Sequence, residues 1–225
     1  MPNFICVTCG AQYAESERPP EHCLICEDDR QYVKTQQWTT LDELRQRHHN
    51  EIRAIEPDLT GIATVPTFAI GQRPLLIQTP KGNVLWDCNS LIDSVTVAAL
   101  NALGGVDAIA ISHPHFYDSM VEWSRAFDDA PIYLHRDNEP WVMRPDKRIV
   151  YWDTETYSLP GDVTLIRCGG HFPGSTVLRW PAGADGKGAL LSVGGTGKPV
   201  NLVEAFPIPT PNQLPLTKAS MERCT

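Results

Sequence analysis

Apolar and polar positions change their rhythm several times along this chain. The stretch Thr40-Leu-Asp-Glu43 matches a capping box, in which a Thr hydroxyl and a Glu carboxylate each satisfy a backbone amide at a helix start. It predicts a helix to about Ile55, ahead of Pro57. From Phe68 short apolar runs alternate with turn residues (TFAI, GQRP, LLIQ, TPKGN, VLWDC), which predicts three strands in a meander. Leu91 to Leu103 then reads as a helix stopped by Gly104-Gly105, and Val106 to Ser112 is a nearly continuous apolar run of the buried-strand type. A helix over Ser119 to Phe127 and strands at Pro131–His135, Val163–Cys168, Ser175–Trp180 and Ala189–Val193 complete an α/β pattern with a meander start.

The first 35 residues are too short to hold a core of their own, and their cysteines supply a substitute. Cys6-Val-Thr-Cys9 and Cys23-Leu-Ile-Cys26 are two CxxC pairs, each able to aim two sulfurs at one point, so together they form a tetrahedral thiolate cage. A structural zinc ribbon follows, with iron as the other ion the cage accepts. Disulfides and a redox CxxC fit less well: nothing resembles a secretion signal, and redox pairs normally stand alone beside a βαβ unit. His22, beside Cys23, reads as a solvated neighbour because four thiolates saturate such a site. On the following helix, His48 and His49 read as part of a polar face.

Composition narrows the partners. The chain has 225 residues, 42% of them apolar and 20% charged, with a formal charge of −8. Acidic balance opposes binding to nucleic acid or anionic membranes, and the ribbon itself sets Arg18, Arg30 and Lys34 against Glu15, Glu17, Glu21, Glu27, Asp28 and Asp29. No apolar run reaches the roughly 18 to 20 residues that span a bilayer, so a cytoplasmic protein acting on a small-molecule substrate is expected. Any protein partner is left open.

Chemistry concentrates where the buried strand ends. Ser112 leads into His113-Pro114-His115-Phe116-Tyr117-Asp118, two imidazoles at i and i+2 past a strand. A second strand ends in Gly169-Gly170-His171-Phe172-Pro173-Gly174, where glycines flank a third candidate ligand. Asp118 reads as a carboxylate ligand, a base, a group orienting the histidines, or an N-cap for the next helix. His135 reads as an ordinary strand-end histidine, and Tyr117 either points into the pocket or packs in the core.

IAISHPHFYDSMVEW followed by RCGGHFPGS resembles the metallo-β-lactamase-fold hydrolases, in a branch carrying an N-terminal ribbon. The resemblance implies an αββα four-layer sandwich over residues 36–225 behind a ribbon at 1–35. It also implies a metal held by His113, His115 and His171 at one edge, with Asp87 of VLWDCN supporting the metal loop. The chain departs from the family's His-x-His-x-Asp-His, with Tyr117 in place of the Asp and Asp118 in place of the last His. No Gly-Asp follows GALLSV, and no histidine follows His171. One sandwich metal, rather than two, is therefore expected, in addition to one in the ribbon.

The expected activity is hydrolysis of an ester, thioester, lactone or related acyl compound by a zinc-bound hydroxide, with Asp118 as proton carrier. The alternative is a non-catalytic zinc-binding scaffold or docking protein with a degenerate hydrolase site. With the ribbon's metal purely structural, replacing Cys6 or Cys23 is expected to leave hydrolysis largely intact. The segment 193–210 is anomalous, rich in proline and glycine where a strand belongs. Codons for AFPIPTP read in a neighbouring frame can encode FSYSYP, which resembles the family's segment. That suggests two compensating frame changes, the alternative being a loop peculiar to this branch.

Overall fold

A computed structural model describes residues 1–27, 36–170 and 172–192. The N-terminal lobe is a three-stranded antiparallel sheet of β1 (Asn3–Cys6), β2 (Gln12–Glu15) and β3 (Trp38–Thr39), in the order β2-β1-β3. Its sheet thus takes in residues beyond the boundary expected at 35. The capping box forms as read: Thr40 Oγ1 accepts from the Glu43 amide at 3.3 Å, and Glu43 Oε2 accepts from the Thr40 amide at 3.2 Å. The helix it opens is short, however. α1 (Leu41–Arg47) ends at His48, and β4 (His49–Glu56) replaces the second half of the expected helix.

The reason lies in two isoleucines. Ile52 and Ile55 are three apart, so they would share one face of a helix but lie on opposite faces of a strand. The sheet buries one on each side, Ile52 against the helix-facing core and Ile55 against the core between the sheets. β4 is held by a hairpin to β5 (Leu59–Val65), in register from His49 opposite Val65 to Ala54 opposite Thr60, with a bulge before Glu56 opposite Leu59. β6 (Leu75–Ile77) and β7 (Val84–Trp86) follow as expected, whereas the TFAI run is a turn rather than a strand.

From β7 the chain crosses through α2 (Ser94–Ala102) to β8 (Ala108–Ala110), then through α3 (Met120–Ala126) to β9 (Ile132–His135) and on to β10 (Ile149–Trp152). The seven-stranded sheet has the order β10-β9-β8-β7-β6-β5-β4, parallel from β7 to β10 and antiparallel elsewhere. A second sheet contains β11 (Thr156–Ser158), β12 (Thr164–Arg167), β13 (Thr176–Trp180) and β14 (Ala189–Leu191), all antiparallel, with the one-turn α4 (Gly183–Gly186) linking β13 to β14.

The layers follow from period-two alternation. Leu76, Leu85 and Ile109 face helices α2 and α3 and pack with Leu100, Met120, Val121 and Trp123. Their neighbours Leu75, Ile77, Val84, Trp86, Ala108 and Ala110 face the second sheet and pack with Leu165, Leu178, Trp180 and Leu191. Both faces being buried explains why these strands read as unbroken apolar runs. The result is the mixed α/β sandwich expected. No helix among the described residues is long and apolar enough to cross a membrane. His171 and the anomalous segment 193–210 lie outside the described residues.

Candidate metal centres

The four ribbon cysteines converge. Cys6 Sγ lies 3.7 Å from Cys26 Sγ, Cys9 Sγ lies 3.6 Å from Cys23 Sγ, and all four ligand atoms fall within 4.8 Å of one another. A tetrahedron with metal–sulfur bonds of about 2.3 Å has sulfur–sulfur edges of about 3.8 Å, so the cage fits a zinc-sized ion. Each thiol is buried. Hydrogen bonds from Cys26, Cys6 and Cys9 drive Cys23 well below the usual thiol range, while Cys26, facing Cys23, is pushed far above it. Four buried sulfurs this close, with no cationic side chain among them, suit a divalent cation at their centre. His22 lies outside this set, exposed and 2.9 Å from Glu27 Oε1.

The second constellation sits at the carboxyl ends of the parallel strands, where open α/β sheets place their sites. Past β7, Asp87 is fully buried with φ 65°, and its Oδ1 accepts from the Ser112 amide at 2.8 Å. That bond fixes the start of the histidine loop. Past β8, Ser112 Oγ is 3.0 Å from His113 Nδ1, and Pro114–Phe116 forms a single 3₁₀ turn. The rings of His113 and His115, both buried, lie edge to face at 5.3 Å.

The loop from the other sheet meets them. Thr176 N donates to Ser112 O at 2.9 Å, and Phe172 lies against both imidazoles, 5.7 Å from His113 and 5.4 Å from His115. Phe172 is in turn edge-on to Trp141 at 5.1 Å. The sequence signalled nothing about Phe172 beyond its position in GGHFPG, and nothing about Ser112. Gly174 N donates to Asn138 Oδ1 at 2.8 Å, tying this loop to the turn after β9. His135, at the end of β9, takes the Asp137 amide on Nδ1 and packs edge-on to Trp152. Tyr117 is buried in the helix-facing core.

Asp118 faces the ribbon. Its Oδ1 is 3.0 Å from Ser90 Oγ and accepts from Gln72 Nε2 at 3.3 Å, and its backbone carbonyl accepts from the Gln12 amide at 3.3 Å. Ser90 Oγ also donates to Gly10 O at 2.9 Å. The single Ser90 hydroxyl proton thus has two acceptors within reach, Gly10 O and Asp118 Oδ1. Burial raises this carboxyl well above its ordinary range, opposed by the Ser90 hydrogen bond and reinforced by Asp87 and Cys6. Asp118 does not cap α3 in the way expected of an N-cap; Ser119 holds that position, without a side-chain cap bond.

The comparisons now have a geometry to stand beside. The chain is 45% identical to the uncharacterized protein YmaE of Bacillus subtilis (strain 168), over 99% of its own length and 82% of that protein. The chain belongs to the YmaE family. No protein-family model matches this YmaE relative. Among solved structures it resembles a metallo-β-lactamase with a HARLDQ motif from Cronobacter sakazakii (TM-score 0.46, 21% identity, 62% of this chain and 63% of that one). It also resembles MEM-A1, a subclass B3 metallo-β-lactamase from a soil metagenome library (TM-score 0.48, 18% identity, 68% and 72%). A third is SMB-1 (TM-score 0.48, 16% identity, 62% of each chain). The likeness spans less than two thirds of the Cronobacter and SMB-1 chains.

Proposed function

We propose that this YmaE relative is a metal-dependent hydrolase acting on a small ester, thioester, lactone or related acyl compound. The observation that carries the reading is the pairing of two buried imidazoles, His113 and His115, at the carboxyl end of a parallel strand, with a glycine-rich loop of the second sheet packed on both. His113, His115 and His171 would hold the ion. Bound there, zinc supplies an acidified water and a Lewis acid for a carbonyl.

The chain's own residues prepare that site. Asp87 and Thr176 pin Ser112 from both sides, through its amide and its carbonyl, so the loop leaves β8 on one trajectory. Ser112 Oγ beside His113 Nδ1 orients the ring and would leave Nε2 to face an ion. Phe172 and Trp141 make one wall apolar, which keeps water ordered and strengthens charge interactions inside. The bonds of Asp118 to Ser90 and Gln72 support a positioning role in place of the proton carrier anticipated.

Elemental analysis of the full chain and of His115→Ala, followed by turnover on a panel of simple thioesters and lactones, tests the reading. The wild type should carry one metal equivalent more than the variant and hydrolyse at least one acyl class. Equal metal contents would remove the histidine site. Metal without turnover would instead support a docking scaffold, the reading favoured by the capture of Asp118 in the seam.

A further inference from the structure

The ribbon and the histidine loop share a buried junction. Gln72, in the GQRP run, is buried and shares the two N–H groups of its amide among three acceptors: Cys9 O at 2.6 Å, His115 O at 3.0 Å and Asp118 Oδ1 at 3.3 Å. One side chain therefore bonds the backbone of a ribbon metal ligand and the backbone of a candidate sandwich ligand. Ser90 repeats the bridge between Gly10 O and Asp118 Oδ1. The junction leaves no slack at Gly10, where an added Cβ would come within 2.1 Å of Asp118 Oδ1.

A second, apolar route runs in parallel. Cys6, Cys9, Ile25 and the other ribbon core residues pack with Trp141 and Met143, and Trp141 meets Phe172, which lies on both histidine rings. Among the described residues the cysteines make up most of the buried cluster at the ribbon's centre, with Ala11 and Ile25, so the integrity of the four-cysteine knot decides whether both routes keep their anchor. Arg144 adds a clasp, pairing with Glu122 of α3 at 2.7 Å and with Gln12 of β2.

We infer that the four-cysteine knot is a positioning element for the metal-binding loop His113–Asp118, acting through Gln72 and Ser90, so that metal in the ribbon is required for full metal affinity in the sandwich. What the loop then binds rests on the hydrolase reading; the mechanical coupling does not. Ribbon variants are on this proposal expected to lose hydrolysis as well as the ribbon metal, in contrast to the expectation from the sequence. Two buried polar bridges and an aromatic relay make the ribbon part of the site's support, and such supporting contacts commonly change metal affinity 10- to 100-fold.

The test uses the full chain titrated with Co²⁺. Thiolate-to-cobalt charge-transfer absorption reports the knot, and ligand-field bands without it report a histidine-bound ion. In Gln72→Leu the first equivalent should still show the thiolate signature, while affinity for the second falls about tenfold or more. Hydrogen exchange at the Phe116, Tyr117 and Met120 amides should rise by about tenfold, with the β12 and β13 amides unchanged. Ser90→Ala, a smaller change that preserves packing, should give the same pattern if Gln72→Leu does not fold. Unaltered loop exchange together with unaltered second-site affinity in a knot-loaded variant overturns the positioning role and leaves the hydrolase reading standing. Raised loop exchange in a protein that binds no second cobalt in any form supports the coupling and removes the hydrolase reading.

Discussion

A single methyl group at Gly10 should detach the ribbon from the sandwich. Gly10 follows the last residue of the first CxxC turn with φ 87°, and its amide closes the knuckle on Cys6 O at 2.8 Å. The left-handed conformation costs an alanine about 1 to 2 kcal/mol. A Cβ there would also lie 2.1 Å from Asp118 Oδ1, 2.6 Å from Ser90 Oγ and 3.0 Å from Gln72 Nε2. All three belong to buried side chains already engaged in the bridges between ribbon and sandwich, so giving way to the methyl group breaks at least one bridge. An orphaned buried polar group adds about 1 to 3 kcal/mol, bringing Gly10→Ala to about 2 to 5 kcal/mol.

Gly186→Ala is the internal control. Gly186 has φ 78°, and nothing lies within 4 Å of its added Cβ, so it isolates the backbone contribution. Thermal unfolding of the metal-loaded chain, followed by far-ultraviolet circular dichroism, should show Gly10→Ala falling several degrees further than Gly186→Ala, at about 2 to 4 °C per kcal/mol for a chain of this size. Equal shifts in the two variants would refute the reasoning, since they would mean that the seam yields without cost.

Leu44→Ala removes the one buried residue of α1, which packs on Ile5 and Leu91 between ribbon and sandwich, and should cost about 2 to 5 kcal/mol in chemical denaturation. Cys6→Ser should lose one metal equivalent and, through the seam, weaken metal binding at the histidines as well, read by elemental analysis after dialysis. Burial lowers the pKa of His135, with Asp137 opposing and Arg167 assisting. The unfolded chain therefore takes up a proton there near pH 6.5 while the folded chain does so only at lower pH, and stability should fall as pH drops through this window. Unfolding free energies from urea titrations between pH 7 and 5 should fall less steeply in His135→Asn, by up to about 1.4 kcal/mol per pH unit.

Local patterns were legible wherever one short stretch carries the whole physical cause. Two CxxC turns aim four sulfurs without help from distant residues, and the capping box closes within four positions, so both read directly from the chain. The buried strand running into His113 and His115 announced a site because apolar continuity and strand-end histidines are adjacent in sequence. The extent of α1 was not legible, because residues 49–56 suit either state locally and the hairpin with β5 decides between them. TFAI failed as a strand for the same reason, having no partner to complete its ladder.

The role of Asp118 depended wholly on tertiary structure. Beside two histidines it reads as a catalytic carboxylate; in the fold its oxygen meets Ser90, 28 residues away, and Gln72, 46 residues away. Neither residue carries a signature, since a glutamine in a turn and a serine in a loop are chemically ordinary until a ribbon packs against them. Metal-ligand spacing is written in the chain because coordination geometry is local. The contacts that join the cysteine cluster to the histidine loop are not, because they are single hydrogen bonds between segments that only the folded sandwich brings together.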